Sequence, residues 1–218
     1  GCPFIFCTWH NIVDEGAAAN TQGLTHSVSA EGCKMSKMID VEGEMVISGV
    51  SGSYSEIQSN RVNHPSATAS AAHRHFQVYL NGKLTLNDLK LTWGEVGANH
   101  GGSIFVDQST IGGSSKDNGG GTLILNAVYF DGSKTTIGNE HAVYGGAIYV
   151  QDGTVTIKDS FFEGLGAFWG GALYVLNTKT SNPMTIESTT FKNNWAKVCS
   201  IHGIIQQLSN NFVLTPVF

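Results

Sequence analysis

The sequence predicts an all-β fold built as a solenoid, a parallel β-helix of about five to six coils with an N-terminal cap. Three observations predict it. A glycine pair followed by a short alternating strand recurs, most clearly at Gly145-Gly146-Ala147-Ile148-Tyr149-Val150 and Gly170-Gly171-Ala172-Leu173-Tyr174-Val175. Behind each pair runs a second alternating strand that ends in an aromatic, as in Val155-Thr156-Ile157 and then Phe162. Composition agrees, because only 13% of residues are charged while glycine fills 27 positions. Glycine supplies the positive φ angles that turns between short strands need, whereas a helical bundle would need more Lys, Glu and Leu.

At 218 residues the chain fits one domain. Residues 1–37 carry no repeat and are read as the cap, with a short helical turn at Ala17-Ala18-Ala19-Asn20. A cap is needed because an uncovered end exposes core side chains and strand edges. The apolar start, residues 1–9, is short and lacks a basic beginning, so it reads as a mature N-terminus or the remnant of a removed leader.

The coils are expected over 38–199. The first starts at Ile39 and alternates through Val41, Met45 and Ile47 about Gly43. Residues 51–72, rich in Ser, Asn and Ala, read as a loop leaving the ladder. A second coil follows from Phe76 to Leu91, and a third from Gly101-Gly102 through Ile104 and Val106 to Phe130, interrupted by a glycine-rich excursion at 112–121. The two glycine-pair units above complete the set. Stacking them makes columns: Leu84, Leu123, Val155 and Met184; Leu86, Leu125, Ile157 and Ile186; Leu91, Phe130, Phe162 and Phe191. Constant strands with variable corners are the mark of a coil repeat. Residues 200–218 depart from the pattern and read as a final irregular coil or a capping tail.

The Gly-Gly-Ala-Ile-Tyr-Val and Gly-Gly-Ala-Leu-Tyr-Val units, with Phe191-Lys192-Asn193-Asn194 after the second strand, resemble the repeats of polymorphic outer-membrane proteins. The likeness spans about residues 75–198 and extends to the pectin-lyase-like right-handed parallel β-helices. Phe-x-x-Asn is complete only once, since Phe130-Asp131-Gly132 and Phe162-Glu163-Gly164 lack the asparagine. The resemblance implies a right-handed coil and a secreted or cell-surface protein active in adhesion; it implies no reaction.

Several function classes are disfavoured. The net charge is −5 and the only arginines are Arg61 and Arg74, so phosphate neutralisation by a basic patch, and with it nucleic acid as a partner, is not expected. No run of 18 apolar residues suggests a membrane span. No nucleophile elbow, P-loop or dinucleotide fingerprint occurs. Cysteines 2, 7, 33 and 199 contain no C-x-x-C pair, and a bond from Cys33 to Cys2 or Cys7 is the expected staple, in keeping with secretion.

What is left for function is the set of side chains that point away from the coil. Phe105, Tyr149 and Tyr174 form an outward aromatic column that could bind a glycan or a surface protein, although rings on strands also serve ladder packing or lie under a corner loop. Thr85, Thr156 and Thr185, with Ile124 between them and Thr154 alongside, form a threonine-rich face of the kind an ice-binding protein would use. Threonine is equally a good exposed strand residue. Asp88 and Asp159 share one column two coils apart, roughly 9–10 Å by strand spacing, which is near the separation of an inverting glycosidase pair. A polysaccharide lyase or glycoside hydrolase is therefore the enzyme alternative, though Asp107, Asp152 and Asp159 are scattered and do not assemble a pectin-cleaving set. No cofactor is required. Calcium could be held through Asp107, Asp117 and Asp131, and a metal by His73 with His75, approached by His100 or His141.

Overall fold

The computed structural model describes residues 23–35, 38–59, 74–92, 94, 100–109, 120–132, 142–176 and 184–197, together with the backbone of 212–215. These residues are all-β, with no helix among them. In chain order the strands are β1 (Leu24–Ser27), β2 (Cys33–Met35), β3 (Ile39–Val41), β4 (Glu44–Ser48), β5 (Ser55–Ser59), β6 (Phe76–Val78), β7 (Lys83–Thr92), β8 (Ile104–Val106), β9 (Thr122–Asp131) and β10 (Ala142–Tyr144). Then come β11 (Ile148–Gln151), β12 (Thr154–Lys158), β13 (Phe161–Glu163), β14 (Gly166–Trp169), β15 (Leu173–Leu176), β16 (Met184–Glu187), β17 (Thr190–Lys192), β18 (Trp195–Ala196) and β19 (Phe212–Thr215).

They form a large eleven-stranded sheet, a five-stranded sheet ordered β15-β11-β8-β6-β3 and a three-stranded sheet ordered β10-β14-β18. Strand partners run parallel and come from successive repeats, as in Ile148↔Leu173 and Val155↔Met184. The chain visits the sheets in rotation: β10 in the three-stranded sheet, β11 in the five-stranded one, β12 and β13 in the large one, then β14, β15, β16, β17 and β18 in the same order.

The expected columns are in register. Leu84 pairs with Leu123, Leu123 with Val155 and Val155 with Met184, and Leu86, Leu125, Ile157 and Ile186 stand beside them. Across the core the five-stranded sheet contributes Phe76, Ile104, Ile148 and Leu173, all fully buried. Phe130, Phe162 and Phe191 stack at 4.6 and 4.7 Å between centroids, with planes within 10°. The parallel ladder sets this geometry: equivalent residues in adjacent repeats fall directly over one another at the strand spacing.

Three boundaries differ from expectation. Parallel pairing begins at β1 and β2, inside 1–37, through Leu24↔Met45 and Cys33↔Ile57. Residues 55–59 are a strand, not part of a loop. Polar residues hid both. In β5 the inward positions are Ser55, Ile57 and Ser59, and the Ser55 hydroxyl is accommodated by donating to the Val28 carbonyl (3.1 Å) while accepting from the Val50 amide (3.0 Å). The third is β19, which continues the ladder beyond residue 200 through Met184↔Phe212. The Ala17–Asn20 turn and Cys2, Cys7 and Cys199 lie outside the described residues.

Bends recur in columns too. Asp88, Ala127, Asp159 and Ser188 occupy equivalent positions, each with φ between 46° and 52°. Asn81 and Asp152 mark the step from the five-stranded to the large sheet, with φ of 69° and 52°. Asp and Asn tolerate this left-handed region better than most side chains. After β17 of the large sheet, Asn194 ties into the preceding repeat. Its Oδ1 accepts from the Leu165 amide (2.9 Å) and its Nδ2 donates to the Phe162 carbonyl (2.9 Å). Phe-x-x-Asn is thus a packing device: the ring extends the phenylalanine stack and the amide satisfies two backbone groups of the coil before it. Asn194→Leu is expected to cost about 2 kcal/mol, since it strands a donor and an acceptor. Urea unfolding measures this, and a loss below about 0.5 kcal/mol would show that water replaces the amide at no cost.

Candidate functional site

Along the five-stranded sheet, residues that alternate with the core point outward. One such column pairs Asp40 with Gln77, Gln77 with Phe105, Phe105 with Tyr149 and Tyr149 with Tyr174. The expected aromatic column therefore forms in the expected register, but it is not an exposed surface. Tyr149 and Tyr174 are only 5% and 9% exposed, while Phe105 is half-buried.

A second column covers them. His100 bridges to Tyr144, and Tyr144 pairs with Trp169, each immediately before a Gly-Gly corner. The His100 ring packs on Tyr149 at 4.8 Å and on Tyr144 at 4.9 Å, and Tyr144 packs on Tyr174 at 4.7 Å. Tyr149 and Tyr174 stack at 5.7 Å beneath. The buried tyrosines are thus a floor, and the half-buried His100, Tyr144 and Trp169 carry the accessible rings, with exposed Phe168 5.7 Å from Trp169. Sequence reading missed this column, although an aromatic precedes each glycine pair: His100-Gly101, Tyr144-Gly145, Trp169-Gly170.

Polar groups border the rings. The Arg74 guanidinium lies 5.0 Å over Phe105 and donates to Gln77 Oε1 (3.4 Å). Gln77 Nε2 donates to Asp107 Oδ2 (3.0 Å), whose other oxygen accepts from the Ser109 amide (2.9 Å). Burial, reinforced by the nearby Asp40 and Asp107 carboxylates, pushes the Tyr79 phenol up to about 12. Burial likewise takes Tyr149 to about 12. Both phenols stay neutral and can donate hydrogen bonds at physiological pH. Burial and then the Arg74 charge lower the His100 pKa, so the imidazole is neutral too, and its Nδ1 has no hydrogen-bond partner among the described residues. Neutral rings beside a few fixed donors and acceptors suit recognition of a polyhydroxylated ligand. Beside them burial raises the Asp40 carboxyl, which shares Tyr79 and Arg74 with Asp107.

The threonine column forms on the outer face of the large sheet, with Thr85↔Ile124, Thr156↔Ile124 and Thr156↔Thr185 in register and Thr154 facing Thr122. Ion pairs Lys83–Glu44 (2.6 Å) and Lys158–Glu187 (2.9 Å) flank it. So does an amide ladder in which Asn126 donates to Asn87 and Asn87 to Ser48. It is one ordered column between charged borders, not a broad threonine array.

Asp88 and Asp159 sit in the left-handed bend column with Ala127 between them, a position their backbone conformation explains. His75 is fully buried, its Nε2 lying 3.2 Å from the Ile57 carbonyl and 3.1 Å from that of Thr92. It belongs to the core, which corrects the reading of it as a loop metal ligand; His73 and His141 lie outside the described residues. Asp107 is held by Gln77 and Ser109, and Asp131 is paired with Lys90 at 2.7 Å. Asp117 lies outside the described residues, and no cluster of three metal-ligating side chains occurs among those described. No described helix is long and apolar enough to cross a membrane.

No family model matches this chain, and no curated protein or solved structure shows significant similarity to it.

Proposed function

We propose that this chain is a right-handed parallel β-helix of a secreted or cell-surface protein, which binds glycan at the aromatic corner of its five-stranded sheet and serves adhesion without chemistry of its own. Support for the coil comes from the parallel ladders and the rotation of the chain through three sheets. Crossovers between parallel strands are almost always right-handed. Cys33, buried in β2, belongs with the same reading: a disulfide from it to Cys2 or Cys7 would persist in oxidising surroundings outside the cell.

The observation that carries the binding reading is the half-buried ring column His100, Tyr144 and Trp169, the first two backed by Tyr149 and Tyr174. Rings fixed by packing lose little freedom on binding and offer flat apolar area to the C–H faces of sugars, while Arg74, Gln77 and the phenols supply hydrogen bonds. A glycan array is expected to give hits, and Tyr144→Ala is expected to weaken the best of them at least tenfold, about 1.4 kcal/mol. Thr156→Ala, on the other sheet, is expected to leave them unchanged. An array with no hits, joined by absence of cell adhesion, would end this reading.

A further inference from the structure

We infer that the glycan bound here is a neutral, extended, β-1,4-linked chain lying along the stacking direction of the coils, with one sugar unit on each of His100, Tyr144 and Trp169. The inference rests on the glycan-binding reading and goes further by fixing linkage, charge and orientation.

Spacing is the first argument. His100, Tyr144 and Trp169 are successive partners in a parallel ladder, so their Cα atoms repeat at roughly 4.8 Å along the stack. A β-1,4-linked pyranose ribbon advances by a closely similar distance per unit and stays straight, so successive sugars meet successive rings. An α-linked chain coils away from a straight row after a unit or two. A glycan crossing the corner along the strands would meet only one coil's ring and the two glycines behind it.

Charge is the second. Among the described residues the fixed charges around the rings are the carboxylates of Asp40, Asp107 and Asp152, the guanidinium of Arg74 and the Lys197 ammonium over Phe168. The balance is acidic in a chain whose net charge is already −5. A polyuronate would be repelled, whereas hydroxyls can use the Arg74, Gln77 and Tyr144 donors.

Calorimetric titration with β-1,4-linked gluco-, manno- and xylo-oligosaccharides of two to six units tests this. In at least one series affinity is expected to climb at least tenfold between the dimer and the tetramer and then level off. Trp169→Ala removes a terminal ring and is expected to move the plateau about one unit shorter, while Trp169→Phe restores it; melting temperatures of both variants check that they fold. Polygalacturonate and malto-oligosaccharides are expected to bind at least tenfold more weakly. Affinity independent of length, or a plateau unmoved by Trp169→Ala, would overturn the axial arrangement while leaving glycan binding in place. Array hits confined to α-linked or anionic glycans would overturn the linkage and charge assignment in the same way. Absence of any glycan binding would remove both the inference and the reading beneath it.

Discussion

Gly145→Ala is expected to lower the stability of the folded chain by about 4 kcal/mol, summing the strain of a left-handed residue and a backbone collision. Gly145 has φ +63°, and a Cβ there would be driven into the Ile148 carbonyl of its own coil. Gly52 separates the two terms. It has φ +75° but nothing within 4 Å of its Cβ position, so Gly52→Ala carries only the left-handed strain, about 1–2 kcal/mol. Gly146→Ala tests the converse case, because its added Cβ would meet the Gly171 carbonyl of the next coil without a positive φ. Urea unfolding of the three variants orders them. Equal losses at Gly145 and Gly52 would show that the Ile148 carbonyl moves aside freely and that the corner is not tightly packed.

This corner explains why the repeat was legible. The first glycine of each pair allows the turn, and the second lets the next coil's backbone approach, as the Gly146 amide does in donating to the Gly171 carbonyl at 2.9 Å. No other residue type meets both demands, so the pair stands out in the sequence. Inward positions are equally constrained: Ile148, Val150, Val155 and Ile157 each lie between like residues of neighbouring coils, and period-two alternation revealed them. Where an inward position is polar, as at Ser55 and Ser59, the pattern breaks and the strand is lost to view, although the side chains are buried as completely as their apolar counterparts.

The site was legible only in part, for a reason that follows from how the outer face of a sheet is covered. Alternation tells which side chains leave the core; it does not tell which of them another segment then covers. Tyr149 and Tyr174 leave the core of the coil and are covered by Tyr144 and His100, residues whose own position depends on the corner rather than on strand period. The same limit applies to Asp88 and Asp159. Their shared column is visible in the sequence, but the left-handed φ that gives them a structural role appears only in the backbone. Polar residues that recur at one position of a parallel ladder are first candidates for bends, and become candidates for catalysis only where a groove and a perturbed environment accompany them.

Acidification is expected to destabilise the fold by about 3 kcal/mol through His75 alone, with the change falling between pH 6.5 and about 4. The imidazole is fully buried, and desolvation takes its pKa from 6.5 down to about 4 despite hydrogen bonding to the Ile57 and Thr92 carbonyls. Above pH 6.5 neither state binds a proton there, and the group adds no slope. Between pH 6.5 and 4 the unfolded chain is protonated while the folded one is not, so stability falls as pH falls, by about 1.4 kcal/mol per unit. Below pH 4 both states carry the proton and the loss levels off. His100, also lowered by burial and by Arg74, adds a slope of the same sign. Glu163, held below the usual carboxylate range by hydrogen bonds from Lys192 and Tyr129, contributes stability above pH 4.5 that is lost only as pH falls through its lower folded value. Among the described residues the fall in stability below pH 6.5 comes from His75 and His100, and Asp40, whose carboxyl burial raises, opposes it as pH falls further. Urea unfolding from pH 5 to 6.5 in His75→Gln, which keeps a donor facing the two carbonyls, should show most of the slope removed, and His100→Gln should remove less. An unchanged slope in His75→Gln would mean that the buried imidazole is already protonated in the folded chain.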